Sequence, residues 1–168
     1  MGNRGKPGSV AAPAAKSPRT ARERAPLQLE NFLPYRLSIL SNTVSQAIAG
    51  DYQQRFALSV TEWRVMAVLA RFDRLSAREV AERTAMDKVA VSRAVARLVA
   101  AGRVDRSVHA DDKRRSVLRL SPAGWRIHDD VAPLARRRER ELLARLDASE
   151  RAWLTRILDK LLWDGSRE

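Results

Sequence analysis

Between residues 59 and 122 the sequence starts a new helix every ten to twenty residues or so, and then, once, it changes period. Ser59-Val-Thr-Glu62 and Ser76-Ala-Arg-Glu79 both fit a capping box. In this motif the serine oxygen accepts an orphan backbone N–H, and the glutamate three residues on reaches back to the serine's own N–H. Asp87 suits an N-cap, its charge favourable against the helix dipole, and Ser121-Pro122 joins an N-cap to a proline at the first helical position. These signals predict helices over 60–72, 77–84, 88–101 and 122–146. Gly102 is placed to end the third of them in a left-handed conformation, and Pro133 is expected to kink or split the fourth. Between Gly102 and Ser121 the helical spacing is lost. Val104 and Val108 flank Arg106, while Val117, Leu118 and Leu120 form a second apolar run, with the polar stretch His109–Ser116 between them. That pattern predicts a β-hairpin with a tip of about eight residues, longer than the usual two-residue turn. The expected fold is mainly α with one small β-hairpin.

A long amphipathic helix precedes this unit. Leu33, Leu37, Leu40, Val44, Ile48, Tyr52 and Phe56 recur every three or four residues, with Pro34 in the first turn and Gly50 a weak point within. A final helix, capped by Asp147 with Glu150 at N3, runs to about Trp163 with Trp153, Leu154, Ile157, Leu158, Leu161 and Leu162 as its apolar stripe. With Leu134, Leu142, Leu143 and Leu146 this is more apolar surface than a small domain can cover, which predicts a symmetric helical interface and a homodimer. The run Arg136-Arg-Arg-Glu-Arg-Glu141 reads as a solvated face with i,i+4 pairs. The chain divides into a basic arm (1–26), a first helix for dimerisation (27–57), a central unit (58–121) and C-terminal dimerisation helices (122–168).

Charge narrows the partner. The formal charge of the 168 residues is +12. The arm holds six basic residues and one acid among Ala, Gly, Pro and Ser, too little apolar surface to offset the entropy of ordering it. It lacks the apolar run of a secretory signal. From Asp87 to Arg119 nine basic residues face four acids, a net +5 in one supersecondary unit. The absence of cysteine excludes disulfide scaffolds, zinc fingers and thiol chemistry, and no apolar run approaches the 18 or so residues needed to span a bilayer. We expect a cytoplasmic protein with no membrane partner.

Along the helix 88–101, Val91, Val95, Leu98 and Val99 form the docking stripe, leaving Lys88, Ser92, Arg93, Ala96 and Arg97 outside it. Small residues (Ala90, Ser92, Ala94, Ala96) allow close approach to a major-groove floor, where Arg reaches guanine edges or phosphates. The alternative is a solvated surface helix, since Ala and Arg are good helix formers. The hairpin tip bears on the choice: Ala110-Asp-Asp-Lys-Arg-Arg115 sets three adjacent cations, Lys113, Arg114 and Arg115, where they repel unless a polyanion is present. Arg114 there suits a narrow minor groove, with Asp112 as its support. A helix for one groove and a wing for the other describes a winged helix-turn-helix.

The stretches Ser59–Leu69, Ser76–Met86, Asp87–Gly102 and Asp112-Lys-Arg114, followed by Val117-Leu-Arg-Leu-Ser-Pro-Ala-Gly124, resemble the MarR family of bacterial transcription regulators. The resemblance spans about Leu33 to Trp163; its most specific pieces are Val91-Ser-Arg93, Arg97-Leu98, Gly102-Arg-Val-Asp-Arg106 and the Asp112-x-Arg114 wing. It implies that Ser92, Arg93 and Arg97 belong to a recognition helix and that Arg114 is the wing-tip residue. It also implies a homodimer on a palindromic operator in double-stranded DNA, released by a small aromatic or other anionic effector. The thiol-sensing branch is excluded, since it needs a cysteine. The local wording Phe32-Leu-Pro-Tyr-Arg36, Glu62-Trp-Arg64 and Met86-Asp-Lys-Val-Ala-Val-Ser-Arg93 is similar to a branch controlling aromatic-acid catabolism, which senses a phenolic acid or its coenzyme A thioester.

A carboxylate effector needs cations beside an apolar pocket, and Arg36, Trp63, Arg64 and His128 are the candidate lining. Trp63 reads first as a core anchor of its helix, and His128 as an ordinary surface or core histidine. No catalytic or metal set is recognisable: the paired carboxylates Asp111-Asp112 and Asp129-Asp130 are adjacent and diverge, and His109 and His128 are the only histidines. No cofactor is expected. The expected function is a dimeric DNA-binding repressor; the rival is a ligand-independent architectural DNA binder with no sequence preference.

Overall fold

A computed structural model describes Met1 and residues 26–108 and 116–162. The predicted arm and the hairpin tip, with Asp112, Lys113, Arg114 and Arg115, lie outside the described residues. Six helices and one hairpin follow in order: α1 (Leu33–Phe56), α2 (Val60–Arg71), α3 (Ala77–Thr84), α4 (Lys88–Ala100), β1 (Val104–Val108), β2 (Ser116–Leu120), α5 (Pro122–Leu143) and α6 (Ala148–Leu162).

Local chemistry accounts for most of these bounds. Both capping boxes form, each serine oxygen accepting the N3 amide at 3.2 Å while the glutamate accepts the serine amide at 2.7 Å. Asp87 takes the amides of Val89 and Ala90 at 3.0 Å, and Asp147 with Glu150 makes a third reciprocal pair. Each cap is worth roughly 1 kcal/mol. Gly102 adopts φ +65, the Gly102 amide donates to the Val99 carbonyl and the Arg103 amide to that of Leu98, the paired bonds that close a helix through a left-handed residue. Pro133 does not split α5, which runs unbroken past it. α5 ends at Leu143, three residues before the expected position, and α6 at Leu162.

α2, α3 and α4 pack around a core of Val65, Met66, Leu69, Val80, Val91, Ala94, Val95 and Leu98, joined by Tyr52 of α1 and Val131 of α5. β1 and β2 pair antiparallel, Val104 against Leu120 and Arg106 against Leu118. Leu118 also exchanges two backbone bonds with Leu75 (2.8 and 3.2 Å), so the loop before α3 adds a one-residue third rung to the hairpin. The sequence reading left Leu75 unassigned, because a lone apolar residue before a cap carries no strand period. One expectation needs correcting: Ala94, counted among the small residues free to approach a groove, is fully buried. It falls between Val91 and Val95 on the docking stripe and serves helix packing instead.

Two junctions tie the wing and the long helices to this core. The Arg103 guanidinium donates to the Phe56 carbonyl at 2.6 Å, occupying an orphan carbonyl at the end of α1. The Arg103 carbonyl accepts from Ser121, whose hydroxyl caps α5 and donates to Gly102. Asp51 of α1 accepts two bonds from Arg138 of α5 (2.8 and 2.9 Å) and lies near Arg137 at 3.4 Å. The Arg138 hydrogen bond holds the Asp51 carboxyl below the usual carboxylate range, against the opposing effect of desolvation. Part of the arginine run is therefore a helix–helix clasp, although Arg137 and Glu141 also make an i,i+4 pair.

Two glycines test this packing in opposite directions. A Cβ on Gly124 would run into the Arg103 carbonyl oxygen, whereas one on Gly50 meets no atom within 4 Å. Gly124→Ala is expected to cost about 1–3 kcal/mol, as overpacking does, and Gly50→Ala to add about 0.5–1 kcal/mol, as a helix-interior glycine replacement does. Thermal melts of the two variants check both signs.

Candidate nucleic-acid interface

The outward face of α4 carries Lys88, Val89, Ser92, Arg93, Ala96 and Arg97, all exposed, with Ala90 half-buried at its edge. Lys88 and Arg93 have no ion-pair partner among the described residues. Asp87, the one acid beside them, points its carboxylate into the helix N-terminus. The face is thus cationic, with small side chains between the cations. Arg106 on β1 is exposed and sits opposite Leu118, while Asp105 and Arg119 form a loose pair across the strands at 3.6 Å. The structure brings Lys88, Ala90, Ser92, Arg93 and Arg97 onto one element as expected. It sets Arg106 on the adjoining hairpin.

Arg97 differs from its neighbours. Its Nε donates to Oε1 of Glu62 at 2.9 Å, and Glu62 is nearly buried, its side chain 9% exposed against 59% for Arg97. The other carboxylate oxygen, Oε2, accepts both the Ser59 amide and the Ser59 hydroxyl at 2.7 Å. Desolvation, the largest single influence, pushes the Glu62 carboxyl up, but the bonds from Ser59 and Arg97 together outweigh it and hold the group below the ordinary glutamate range. Glu62 was legible in the sequence as a capping residue, but its role as the partner of Arg97 was not.

A second cluster lies between α1, α2 and α5. Trp63 and His128 stack at 5.8 Å between ring centroids, 26° apart in plane, and Trp125 meets His128 edge-on at 5.4 Å. Tyr52 lies 5.9 Å from Trp63 on the inner side. Arg64 reaches back to α1, donating to Ser45 at 2.8 Å and Ser41 at 3.4 Å. The Tyr52 hydroxyl is buried and has no hydrogen-bond partner among the described residues, and desolvation pushes its pKa up to about 12. Trp63, Arg64 and His128 thus come together, and Trp63 also packs on the core. Arg36, exposed in the first turn of α1, makes no contact with them. Tyr52 and Trp125 were not among the expected lining: Tyr52 stood in the apolar stripe of the first helix, where an aromatic reads simply as packing, and Trp125 was given no role. Among the described residues no group of His, Asp and Glu is placed to hold a metal, and no helix is long and apolar enough to cross a membrane.

Residues 58–115, which run from the start of α2 through the hairpin tip, match the MarR family. Neighbours among solved structures extend the likeness to the flanking helices. A MarR/EmrR family transcriptional regulator from Acinetobacter sp. ADP1 superposes with a TM-score of 0.73 at 27% identity, over 80% of this chain and 95% of that one. A MarR-family regulator from Silicibacter pomeroyi gives 0.70 at 26% identity, over 87% and 97%. No curated protein matches significantly. The six helices and two-stranded hairpin are those of winged-helix MarR structures.

The Glu62–Arg97 contact carries a pH signature. A carboxyl held below its unfolded pKa of about 4.3 stabilises the fold fully above that pH, and the contribution is lost as pH falls through the folded value. Melts between pH 6 and pH 3 should therefore show stability falling as Glu62 protonates. Glu62→Gln should be less stable at pH 6 and show a shallower fall, as followed by circular dichroism.

Proposed function

We propose that this chain is a sequence-specific DNA-binding transcription regulator, acting as a homodimer on a palindromic operator. The observation that carries the reading is the outward face of α4, where Lys88, Ser92, Arg93 and Arg97 stand exposed around small side chains on the helix read here as the recognition helix. Lys88, Lys113, Arg115 and Arg106 serve phosphates, Ser92 and Arg93 base edges, and Arg114, with Asp112 beside it in sequence, the minor groove. The basic arm adds general phosphate affinity.

The dimer reading is supported by α6. All of its residues are exposed in the single chain, including Trp153, Leu154, Ile157, Leu158 and Leu161, and the start of α1 exposes Leu33, Tyr35, Leu37 and Leu40. Apolar faces of this extent mark an association surface. A two-fold axis there would set two α4 helices about one DNA turn apart. Leu158→Arg should give monomers in sizing measurements, with operator affinity lost alongside.

The effector reading rests on the aromatic cluster. Trp63, His128 and Trp125 offer ring faces, Arg64 a cation and Tyr52 a buried hydroxyl with an unused bond, which together suit a small aromatic acid or its coenzyme A thioester. A repressor released by such a ligand should retard a duplex from the gene's own upstream region and let it go when one member of a panel of aromatic acids and thioesters is added. An architectural protein would instead bind random duplexes equally and ignore the panel, and that outcome would replace the regulator reading.

A further inference from the structure

We propose that Glu62 is a positioning residue for DNA binding: by holding the Nε edge of Arg97 it fixes that guanidinium with its two Nη groups turned outward, to clasp a backbone phosphate. The inference rests on the DNA-binding reading above and adds to it a residue of α2, outside the recognition helix.

A capping box needs one glutamate oxygen, and a neutral glutamine serves the motif as well. Here the residue at N3 is a charged carboxylate almost out of water, which is costly unless its second oxygen also has a partner. Oε2 is filled by the amide and hydroxyl of Ser59, and Oε1 by Arg97 Nε. An arginine has five N–H donors in a rigid fork. Only the Nε donor is taken within the described residues, so the four on Nη1 and Nη2 remain for a partner outside the protein. Arg93, four residues earlier and exposed, lies one turn away on the same side of α4, so the held guanidinium extends the cationic face toward the start of α2.

The consequence is pre-organisation. A free arginine gives up rotamer freedom when it is fixed on a phosphate, and one already clamped gives up less. Bidentate Nη contacts suit a phosphate, which carries oxygens but no donor. The attraction of Glu62 for DNA is itself negative: its charge repels phosphate. Removing that charge should strengthen binding if Glu62 is a bystander and weaken it if Glu62 positions Arg97. The two accounts predict opposite signs.

The experiment measures binding of the full chain to a labelled duplex from its own upstream region, and to a random duplex of equal length, across a salt series. The wild type should prefer the upstream duplex; equal binding to both would count against the regulator reading itself, independently of Glu62. Given that preference, Arg97→Ala should bind about tenfold more weakly with the salt slope reduced by about one. Glu62→Gln, which keeps the cap, should bind about fivefold more weakly despite its extra net positive charge, and should cause no further loss in the Arg97→Ala background, where only the relief of its repulsion remains. Arg97→Lys leaves Glu62 and its cap untouched; it should also weaken binding about fivefold while keeping the slope, since the charge stays and the fork is lost. The proposal is overturned if Glu62→Gln binds as tightly as wild type or more tightly, if its loss is the same with and without Arg97, or if Arg97→Lys matches wild type.

Discussion

A single carboxylate taken out of water organises how α2 and α4 meet in this molecule. Glu62 must find partners for both oxygens, because an unpaired charge at that depth would cost more than any cap returns. Ser59 meets one oxygen and fixes where α2 begins; Arg97 meets the other and fixes how α4 lies across that end. The core of Val65, Met66, Leu69, Val91, Val95 and Leu98 supplies the bulk of the stabilisation, at roughly 1.5–3 kcal/mol for each fully buried aliphatic side chain. Apolar packing is tolerant of small rotations, whereas a buried ion pair with directed hydrogen bonds is not. The orientation of the exposed face of α4 therefore depends on Glu62 more than on any one core residue.

Three consecutive residues early in α2 reach three different ways. Glu62 goes to α4, Trp63 to His128 of α5 and Tyr52 of α1, and Arg64 to Ser41 and Ser45 of α1. One helical turn thus touches α4, the aromatic cluster and the long helix that exposes the apolar surface. Whatever moves the rings of Trp63 and His128 acts within one residue of the carboxylate that holds Arg97. This adjacency is a physical route by which a ligand in the cluster would bias the DNA-facing side chains, since packed interiors pass on displacement and do not absorb it.

Nearly every element was legible beforehand, and the reason is local. Ser59, Ser76, Asp87, Ser121 and Asp147 each cap within three residues of themselves, and Gly102 closes α4 by its own φ. The misses share the opposite character. Leu75 pairs with Leu118 across more than forty residues, Asp51 clasps Arg138 at a separation of 87, and Arg97 meets Glu62 at 35. Ala94 looked free for a groove because alanine is small, but its place between Val91 and Val95 buries it. The arginine run of α5 looked solvated because its i,i+4 acids were in view while Asp51 was not. Of the candidate sites, the α4 face followed from periodicity alone. In the aromatic cluster Trp63, Arg64 and His128 were anticipated, Tyr52 was hidden as a stripe residue and Trp125 was given no role.

The sequence by itself determined the order, ends and faces of the helices and the hairpin, together with a basic surface concentrated between Asp87 and Arg119. Those properties depend on hydrogen bonds and side-chain spacing within a turn or two, which a linear reading contains. Tertiary structure alone decided which charges are spent inside the protein and which are left for a partner. Among the described residues Lys88 and Arg93 have no ion-pair partner, while Arg97, Arg138 and Arg103 are each engaged by a distant oxygen. An arginine is equally cationic in all these settings, and only the chain that folds back against it determines whether its donors face an acid, a carbonyl or solvent.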